Sequence, residues 1–360
     1  MPIQTALDSI NQNQGSPFGF KNRIINGAMV IDQRNAGASF TNTNQSIYGL
    51  DRWRTFGLSG AVLTIQQSTT APTGFSNSQF VTVTTSTTAN DSGGIAQIVE
   101  GNNAVDLAWG TSSGKSVTMS FWVRGSVTGT YNVFFIYNGT TTYYYVATYT
   151  IDSANTWEYK TITLAAPPTA AGAFANALNT AYVTARFTIS SSGGSSTTAN
   201  TWSTTNVTKS SGCVDLASNS GATFYITGAQ LEVGTVATSF DFRSYGTELA
   251  LCQRYYALIT NTSSTGEHGF ANGYQISTTA GVFIVPTPVS MRTEPTITIT
   301  NLAVSDQVAF TNAATLSSIS ATSNGSLITV AFTAAGAQYR PAALVSRSTF
   351  IGQLTFAAEI

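Results

Sequence analysis

The side chains that could support catalysis are few and widely separated in this sequence. His268 is the only histidine, so a Ser/His/Asp or Cys/His relay would have to use this residue, which lies in the glycine-flanked stretch STGEHGFANG. The two cysteines, Cys213 and Cys252, are far apart, and neither has a histidine or another cysteine close to it in the sequence. We interpret both as free, buried thiols rather than as a disulfide or a metal site.

The acidic residues form no recognisable catalytic pair. Glycoside cleavage requires two carboxylates within about 5 to 10 Å of each other, and the 16 aspartates and glutamates are scattered along the chain. A phosphate-binding glycine loop, zinc-ligand spacing and an EF-hand pattern are also missing from the sequence. We therefore predict that the protein is not an enzyme and uses no metal or other cofactor. Polysaccharide cleavage is the least favoured function.

Noncovalent sugar binding needs different side chains, and the sequence contains them. Aromatic rings stack on the apolar faces of sugar rings, while the hydroxyls and amides of Ser, Thr and Asn bind sugar hydroxyls. Alternation or a loop position is expected to place five aromatic residues outward, and these are the predicted glycan-binding residues: Trp109, Tyr143, Tyr145, Trp202 and Phe270. Tyr143 and Tyr145 have an alternative interpretation as core or subunit-interface residues.

The charge of the chain is low and nearly balanced. Charged residues make up 9% of the sequence, and the formal net charge is −1. No cluster of lysine and arginine is present, which argues against nucleic acid and anionic membranes as partners. The first residues lack the basic and apolar regions of a signal peptide, and no run reaches the roughly 18 apolar residues of a membrane-spanning helix. We therefore expect a product of the cytoplasm that does not insert into membranes.

Short runs of alternating apolar and polar residues dominate residues 21–245. The best defined are SVTMSFWVRG (116–125), YNVFFIYNG (131–139), YYYVATYTI (143–151), WEYKTITL (157–164), AYVTARFTIS (181–190) and FYITGAQLEVG (224–234). Such runs, at a spacing of about 8 to 12 residues, predict a β-sandwich of the jelly-roll type. The polar stretch 190–206 is predicted to be a long loop between two of its strands.

Two further regions flank this domain. Residues 246–360 contain a second set of alternating runs, which predicts a smaller C-terminal β-sandwich domain and an all-β fold class. In residues 1–20, Ile3, Leu7 and Ile10 lie on one stripe of a short helix. Because an isolated helix of fewer than about 12 residues is marginal in water, this segment must dock. It either attaches the chain to other proteins or to its own copies, or packs back on its own domain.

The stretch TELALCQRYY predicts a short helix at the junction of the two domains. Thr247 can cap this helix, and Glu248 lies in its first turn, where the helix dipole favours a negative charge. We expect Cys252 to face inward and Arg254 to pair with a carboxylate. Tyr255 then belongs to the first strand of the second domain.

A second group of residues is interpreted as specifying the fold rather than binding a ligand. Trp53 is expected to face the sandwich interior, with Asp51, Arg52 and Arg54 in ion pairs at the rim of a sheet. The dipeptide Asn26-Gly27 predicts a tight hairpin turn, because both residues tolerate positive φ values.

Four segments of the sequence resemble bacteriophage tail-fibre and virion appendage proteins. They are NRIINGAMVIDQRNAG (22–37), YGLDRW (48–53), GKSVTMSFWVRG (114–125) and AQLEVGTVATSFDFRSYGTELALCQRYY (229–256), of which the last is the most specific. In that family a jelly roll similar to a carbohydrate-binding module is followed by a Cys-Gln-Arg-Tyr-Tyr element and a C-terminal β domain. The resemblance covers roughly residues 20–360. It implies a structural virion protein, often a homotrimer, that contacts the host envelope or decorates the particle.

Two functions of different classes follow from these observations. The leading hypothesis is a tail fibre or receptor-binding appendage that binds host surface polysaccharide noncovalently, with trimerisation multiplying weak contacts. The alternative is a capsid decoration or head-fibre protein with a purely structural role. In both cases we expect the protein in the virion, with residues 1–20 attaching it to other virion proteins or to its own copies if they do not pack back on their own domain.

Overall fold

The computed structural model describes residues 21–43, 46–58, 60–88, 92–193, 196–197, 199–306, 310–312, 315–332, 338–347 and 350–360. These residues divide into two compact units. Residues up to Glu248, together with Ile360, form the first unit, and Leu249–Glu359 form the second. The boundary expected from the sequence lies after residue 245. The predicted docking residues Ile3, Leu7 and Ile10 lie outside the described part of the chain.

The described part of the first unit consists of strands and short 3-10 helices. The strands are β1 (Phe40–Thr43), β2 (Arg54–Phe56), β3 (Val62–Ser68), β4 (Ser78–Thr85), β5 (Gly93–Glu100), β6 (Val117–Gly125), β7 (Gly129–Asn138), β8 (Thr142–Ile151), β9 (Glu158–Leu164), β10 (Ala181–Ser190), β11 (Ser196–Thr197), β12 (Trp202–Ser203), β13 (Lys209–Ser210) and β14 (Thr223–Val233). The 3-10 helices are Gly101–Asn103, Val105–Leu107, Thr169–Ala171 and Leu216–Ser218.

Two six-stranded antiparallel sheets enclose the core of this unit. The first sheet has the order β1-β3-β4-β14-β6-β9, and the second has the order β12-β8-β7-β10-β5-β2. The chain passes repeatedly between the sheets, so that strands adjacent in a sheet, such as β4 and β14, are distant in sequence. This unit is the predicted jelly-roll β-sandwich, and the prediction of an all-β fold is confirmed.

Strand β6 illustrates how alternation builds the sandwich. Its core-facing residues are Val117, Met119, Phe121 and Val123, all fully buried. Phe121 packs edge-on against Phe187 of the opposite sheet, with ring centroids 5.0 Å apart. Because successive side chains of a strand point to opposite faces, Trp122 points to the outer face of the first sheet.

The stretch 190–206 is not entirely a loop. Trp202 and Ser203 form β12, which pairs with Tyr145 and Tyr144 of β8 at the edge of the second sheet. The prediction of one long loop is therefore wrong for this part of the stretch, because an edge strand offers free backbone groups to which a neighbouring segment can bind.

The second unit is also built from antiparallel strands. They are β15 (Tyr256–Thr260), β16 (His268–Gln275), β17 (Ala280–Pro286), β18 (Thr296–Thr300), β19 (Leu302–Ser305), β20 (Phe310–Asn312), β21 (Thr315–Thr322), β22 (Gly325–Ala331), β23 (Pro341–Ser346) and β24 (Gln353–Ala357). A three-stranded sheet, β15-β24-β18, and a seven-stranded sheet, β20-β19-β23-β16-β17-β22-β21, share one core that includes Phe283, Leu344 and Phe356. The helix α1 (Tyr245–Gln253) contains the division between the units.

Candidate functional site

A groove lined by aromatic side chains lies on the outer face of the first sheet. Its volume is about 590 Å³. We call it the aromatic groove and define it by its five rings: Phe75, Trp122, Tyr159, Phe240 and Phe242. Part of its surface is polar, with Thr73 and Ser239 exposed along its edge.

One wall of the aromatic groove comes from the sheet itself. Trp122 of β6 and Tyr159 of β9 are direct cross-strand partners, and their ring centroids are 5.4 Å apart. Tyr159 is 44% exposed, so this wall presents an accessible ring to solvent. Cross-strand aromatic pairs are a stable feature of a sheet surface, which makes this wall a fixed platform.

The other wall comes from two loops that are distant in sequence. Phe75 precedes β4, whereas Phe240 and Phe242 follow β14. The Phe75 ring centroid lies 5.2 Å from that of Phe240 and 5.3 Å from that of Phe242, and the two latter rings are 4.8 Å apart. Phe242 is nevertheless 61% exposed. The ring cluster therefore packs on itself and still faces solvent.

Gly228 lets the two walls meet. It lies in an irregularity of β14 between Thr227 and Gln230, and its φ of +60° is in the left-handed region that favours glycine. A Cβ at this position would lie 2.7 Å from Cζ of Phe75 and 3.1 Å from Cδ1 of Trp122. The glycine therefore provides both the backbone bend and the space in which a loop ring approaches the sheet ring.

Two buried polar residues of β14 hold the loop that carries Phe240 and Phe242. Glu232 accepts hydrogen bonds from the backbone N–H of Thr238 at 2.8 Å, from Oγ1 of Thr238 at 2.6 Å and from Nε2 of Gln230 at 2.8 Å. Oε1 of Gln230 accepts from the backbone N–H of Asp241 at 2.8 Å. Since both side chains are at most 1% exposed, the loop is fixed from beneath by bonds that water does not weaken.

Replacing Glu232 with glutamine is expected to destabilise the first unit by about 1–3 kcal/mol, because an amide group would face donors and leave one of them without an acceptor. The readout is urea unfolding followed by tryptophan fluorescence. All five tryptophans lie in the first unit, so the signal reports on that unit. An unfolding midpoint equal to that of the unaltered protein would contradict this role of Glu232.

A smaller pocket of about 210 Å³ continues from the aromatic groove and shares Phe75, Phe240 and Phe242 with it. Its charged residues are already engaged in the fold. Glu248 accepts a short hydrogen bond from the backbone N–H of Asn26, and its carboxylate lies 3.3 Å from Nη1 of Arg243. These charges tie the chain segments together.

The junction helix differs in one detail from its prediction. Helix α1 begins at Tyr245, and Oγ of Ser244 accepts from the backbone N–H of Thr247 at 3.4 Å. The predicted cap at Thr247 is therefore wrong, because the helix starts two residues earlier. Glu248 lies in the first turn as expected. Cys252 and Tyr255 are fully buried. Tyr255 lies in the turn before β15, which begins at Tyr256, so its predicted place in that strand is wrong. The pairing of Arg254 with a carboxylate stays a prediction.

The five predicted glycan-binding residues do not line the aromatic groove. Trp109 is 1% exposed and Tyr145 is 6% exposed, so the expected outward position is wrong for these two residues. Trp109 follows a left-handed Ala108 that turns it into the core, where Nε1 donates to the Lys115 carbonyl oxygen at 2.7 Å. Tyr145 lies on the core-facing side of β8, and burial raises the pKa of its hydroxyl.

The other three predicted residues are partly buried. Tyr143 and Trp202 pack on the core of the first unit, and Phe270 packs on the core of the second. The Trp202 indole donates to the carbonyl oxygen of Ala165 at 2.9 Å. Glycan binding by these three side chains stays a prediction.

The residues predicted to specify the fold occupy interior positions. Trp53 is fully buried, and its Nε1 donates to the Asn26 carbonyl oxygen at 3.1 Å. Asp51 accepts from the backbone N–H of Gln33 at 2.6 Å, while Nη2 of Arg52 donates to the Ile98 carbonyl oxygen at 2.7 Å. These bonds connect the segment before β2 to other parts of the first unit.

The predicted hairpin at Asn26-Gly27 is wrong. Of the two residues, Asn26 alone has a positive φ, +57°. Gly27 is required for a different reason, since a Cβ there would lie 2.1 Å from the carbonyl oxygen of Ala229. Gly27 therefore makes a close backbone contact with β14, and the dipeptide does not form a two-residue hairpin turn.

His268 and the cysteines show no catalytic arrangement in the described part of the chain. His268 is the first residue of β16, and Nε2 of its ring lies 3.2 Å from the carbonyl oxygen of Thr265. Neither Cys213 nor Cys252 is in a disulfide, and Cys252 is buried as expected. Cys213 is only partly buried, so the expected buried position is wrong for this residue. Within the residues that the structure describes, no three His, Cys, Asp or Glu side chains group as metal ligands, and no helix is long and apolar enough to span a membrane.

The sequence contained a signal for Trp122 but none for the loop rings. In SVTMSFWVRG, Trp122 shares the polar phase of the alternation with Thr118 and Ser120, which indicates an outward ring. Phe75, Phe240 and Phe242 lie outside the strands, where no periodicity indicates a direction.

No family model and no curated protein matches the sequence. Among solved structures, the chain is similar to the enzymatically active domain of tailspike protein 4 of bacteriophage CBA120, with 14% identity over 59% of this chain and 21% of that chain and a TM-score of 0.32. It is also similar to a putative sugar binding protein from Bacteroides thetaiotaomicron, with 11% identity over 59% of this chain and 100% of that chain and a TM-score of 0.33. A family 22 carbohydrate binding module of Clostridium thermocellum Xyn10B shares 16% identity over 52% of this chain and 89% of that chain, with a TM-score of 0.31. At these identities and TM-scores, the likenesses assign neither a family nor a function.

Proposed function

We propose that this chain is a structural protein of a bacteriophage virion whose first unit binds a host surface polysaccharide noncovalently in the aromatic groove. The observation that supports this most directly is the pair of facing aromatic walls, with Trp122 and Tyr159 on the sheet and Phe242 on the loop. Rings of this kind stack on the apolar faces of sugars, and the hydroxyls of Thr73 and Ser239 supply hydrogen bonds at the groove edge.

Binding without cleavage fits the groove best. The side chains that line it are aromatic, small or hydroxyl-bearing, and no aspartate or glutamate is among those that the structure describes there. Hydrolysis of a glycosidic bond requires two carboxylates that flank it. The role is therefore adhesion, as in a tail fibre or receptor-binding appendage.

The phage assignment rests on the sequence resemblance, and the segment 229–256 carries it best. This segment includes Gln230, Glu232 and Phe240, which also build the aromatic groove. A homotrimer, which the resemblance implies, would present several grooves together and multiply weak sugar contacts.

A purely structural role in capsid decoration or a head fibre is the second candidate. The observation that favours it lies in the second unit, where Tyr274, Ile284 and Leu327 are 51%, 70% and 47% exposed. Ile284 and Leu327 are direct cross-strand partners on β17 and β22. Exposed apolar pairs of this kind are typical of protein interfaces.

Labelled-antibody electron microscopy on intact virions separates the two roles, and a screen of bacterial surface polysaccharides tests binding. We expect signal on the tail and saturable binding of at least one polysaccharide without release of reducing ends. Signal spread over the capsid, with no polysaccharide bound, would favour decoration and contradict the adhesion proposal.

A further inference from the structure

A second surface with unusual electrostatics lies on the outer face of the second sheet. Arg186 of β10 is paired in register with Ala96 of β5, and Ala96 is paired on its other side with Arg54 of β2. Directly opposed residues share a face, so the two arginines stand on the same face, two strands or about 10 Å apart. Ala96, which lies between them, is 1% exposed, so neighbouring side chains already cover it.

The guanidinium of Arg186 is held between aromatic rings. Its Cζ lies 4.7 Å from the ring centroid of Phe56 and 5.5 Å from that of Phe134. The Phe134 ring is in turn stacked on Tyr144, at 6.0 Å and an interplanar angle of 16°. Because these contacts hold the guanidinium in place, the Arg186 side chain loses less conformational entropy when it binds a ligand.

Arg186 lacks a negative partner. No Asp or Glu oxygen lies within 4.0 Å of its guanidinium among the described residues, and its enclosed Nε has no hydrogen-bond partner. Burial, and then the charge of Arg54, lower the pKa of Arg186 to about 10. The group is still a cation at neutral pH, so the fold carries a partly desolvated charge that nothing in the described chain neutralises.

The surroundings suit an oxyanion. Thr188 lies two residues further along β10 and therefore faces the same side. Its Oγ1 is buried and has no hydrogen-bond partner. Arg54 adds positive charge, although it already donates from Nη1, at 3.3 Å, to a backbone oxygen of Ile360, the one C-terminal residue that groups with the first unit.

We propose that Arg186, with Arg54 beside it, forms a binding site for the carboxylate or phosphate group of an acidic saccharide. The planar guanidinium offers two parallel N–H donors to such a group. The site does not depend on the aromatic groove, which lies on the outer face of the other sheet. The choice of a saccharide as the ligand rests on the proposed polysaccharide binding, and the site would let the protein distinguish acidic from neutral surface glycans.

The test uses the full chain labelled with ¹⁵N at the arginine Nε. The Nε–H signal of Arg186 is assigned by its loss in Arg186→Lys, and the protein is titrated with trigalacturonic acid, its methyl ester, glucose 6-phosphate and glucose. We expect the acid, the sugar phosphate or both to shift this signal, and the two neutral sugars to leave it unchanged. A shift with the acid alone identifies a carboxylate ligand, and a shift with the phosphate alone identifies a phosphate ligand.

Calorimetry on variants supplies an independent readout. Arg186→Gln is expected to lower the affinity for the active probe at least tenfold. Arg124→Gln is the matched control, since Arg124 also lies over an aromatic ring, 5.0 Å from Tyr225, but donates its Nε to the carbonyl oxygen of Asn155 at 2.8 Å. The proposal is overturned if neither acidic probe shifts the Arg186 signal, or if Arg186→Gln binds the active probe as tightly as the unaltered protein does.

Discussion

Replacing Trp122 with alanine is expected to weaken binding of the polysaccharide selected by the screen about ten- to a hundredfold. The indole supplies the larger ring of the sheet wall, and burial of an aromatic side chain against a ligand contributes about 1.5–3 kcal/mol. Since about 1.4 kcal/mol corresponds to a factor of ten in affinity, the loss should be clear in a titration. Tyr159→Ala should have a similar but smaller effect, because its ring forms the same wall.

Trp157→Ala is the matched control for this experiment. Trp157 is a partly exposed tryptophan that packs edge-on against Tyr225, 6.0 Å away, and does not line the aromatic groove. Its removal should leave the affinity within a factor of two. If Trp157→Ala lost binding while Trp122→Ala retained it, the ligand would lie elsewhere on the molecule and the proposed function of the groove would be wrong.

Trp53→Ala is expected to destabilise the first unit by about 3–5 kcal/mol, the usual cost of deleting a buried tryptophan side chain. Trp53 is fully buried, its ring centroid lies 6.1 Å from that of Phe187, and its Nε1 donates to the carbonyl oxygen of Asn26. The substitution thus creates a cavity and also leaves a buried carbonyl without its donor.

The readout for Trp53→Ala is again urea unfolding followed by the fluorescence of the remaining tryptophans. Trp157→Ala is again the control, because it deletes a tryptophan at a partly exposed site. It should lower the free energy of unfolding by less than about 1 kcal/mol. Equal unfolding midpoints for the two variants would mean that Trp53 does not hold the segment before β2 in the core, and its interpretation as a residue that specifies the fold would fail.

The all-β sandwich was accessible from the sequence because its signal is local. Each of the six main alternating runs corresponds to one strand, β6 to β10 and β14, with bounds that differ by a few residues at most. Alternation over a few residues is set by the extended backbone itself, since successive side chains must point to opposite faces. The pairing order of those strands was not accessible, because β14 contacts β4 and β6 across long sequence separations.

The glycan-binding residues were predicted less well, and Trp109 shows why. The sequence placed it outside a strand, where a large ring is as compatible with solvent as with the core. Its burial depends on Tyr137, Tyr182 and Trp202, whose rings come from three other segments. Whether an aromatic residue in a loop is exposed depends on the segments that pack around it. A single sequence does not show which segments those are.

By itself, the sequence determined the all-β class and the outward phase of Trp122. Both follow from the two-residue period of a strand. Only the tertiary structure decided that Phe75, Phe240 and Phe242 complete a groove, and that Arg186 lies between rings without a negative partner. The physical reason is that both surfaces are assembled from strands and loops that meet only after non-local pairing, which local periodicity does not encode.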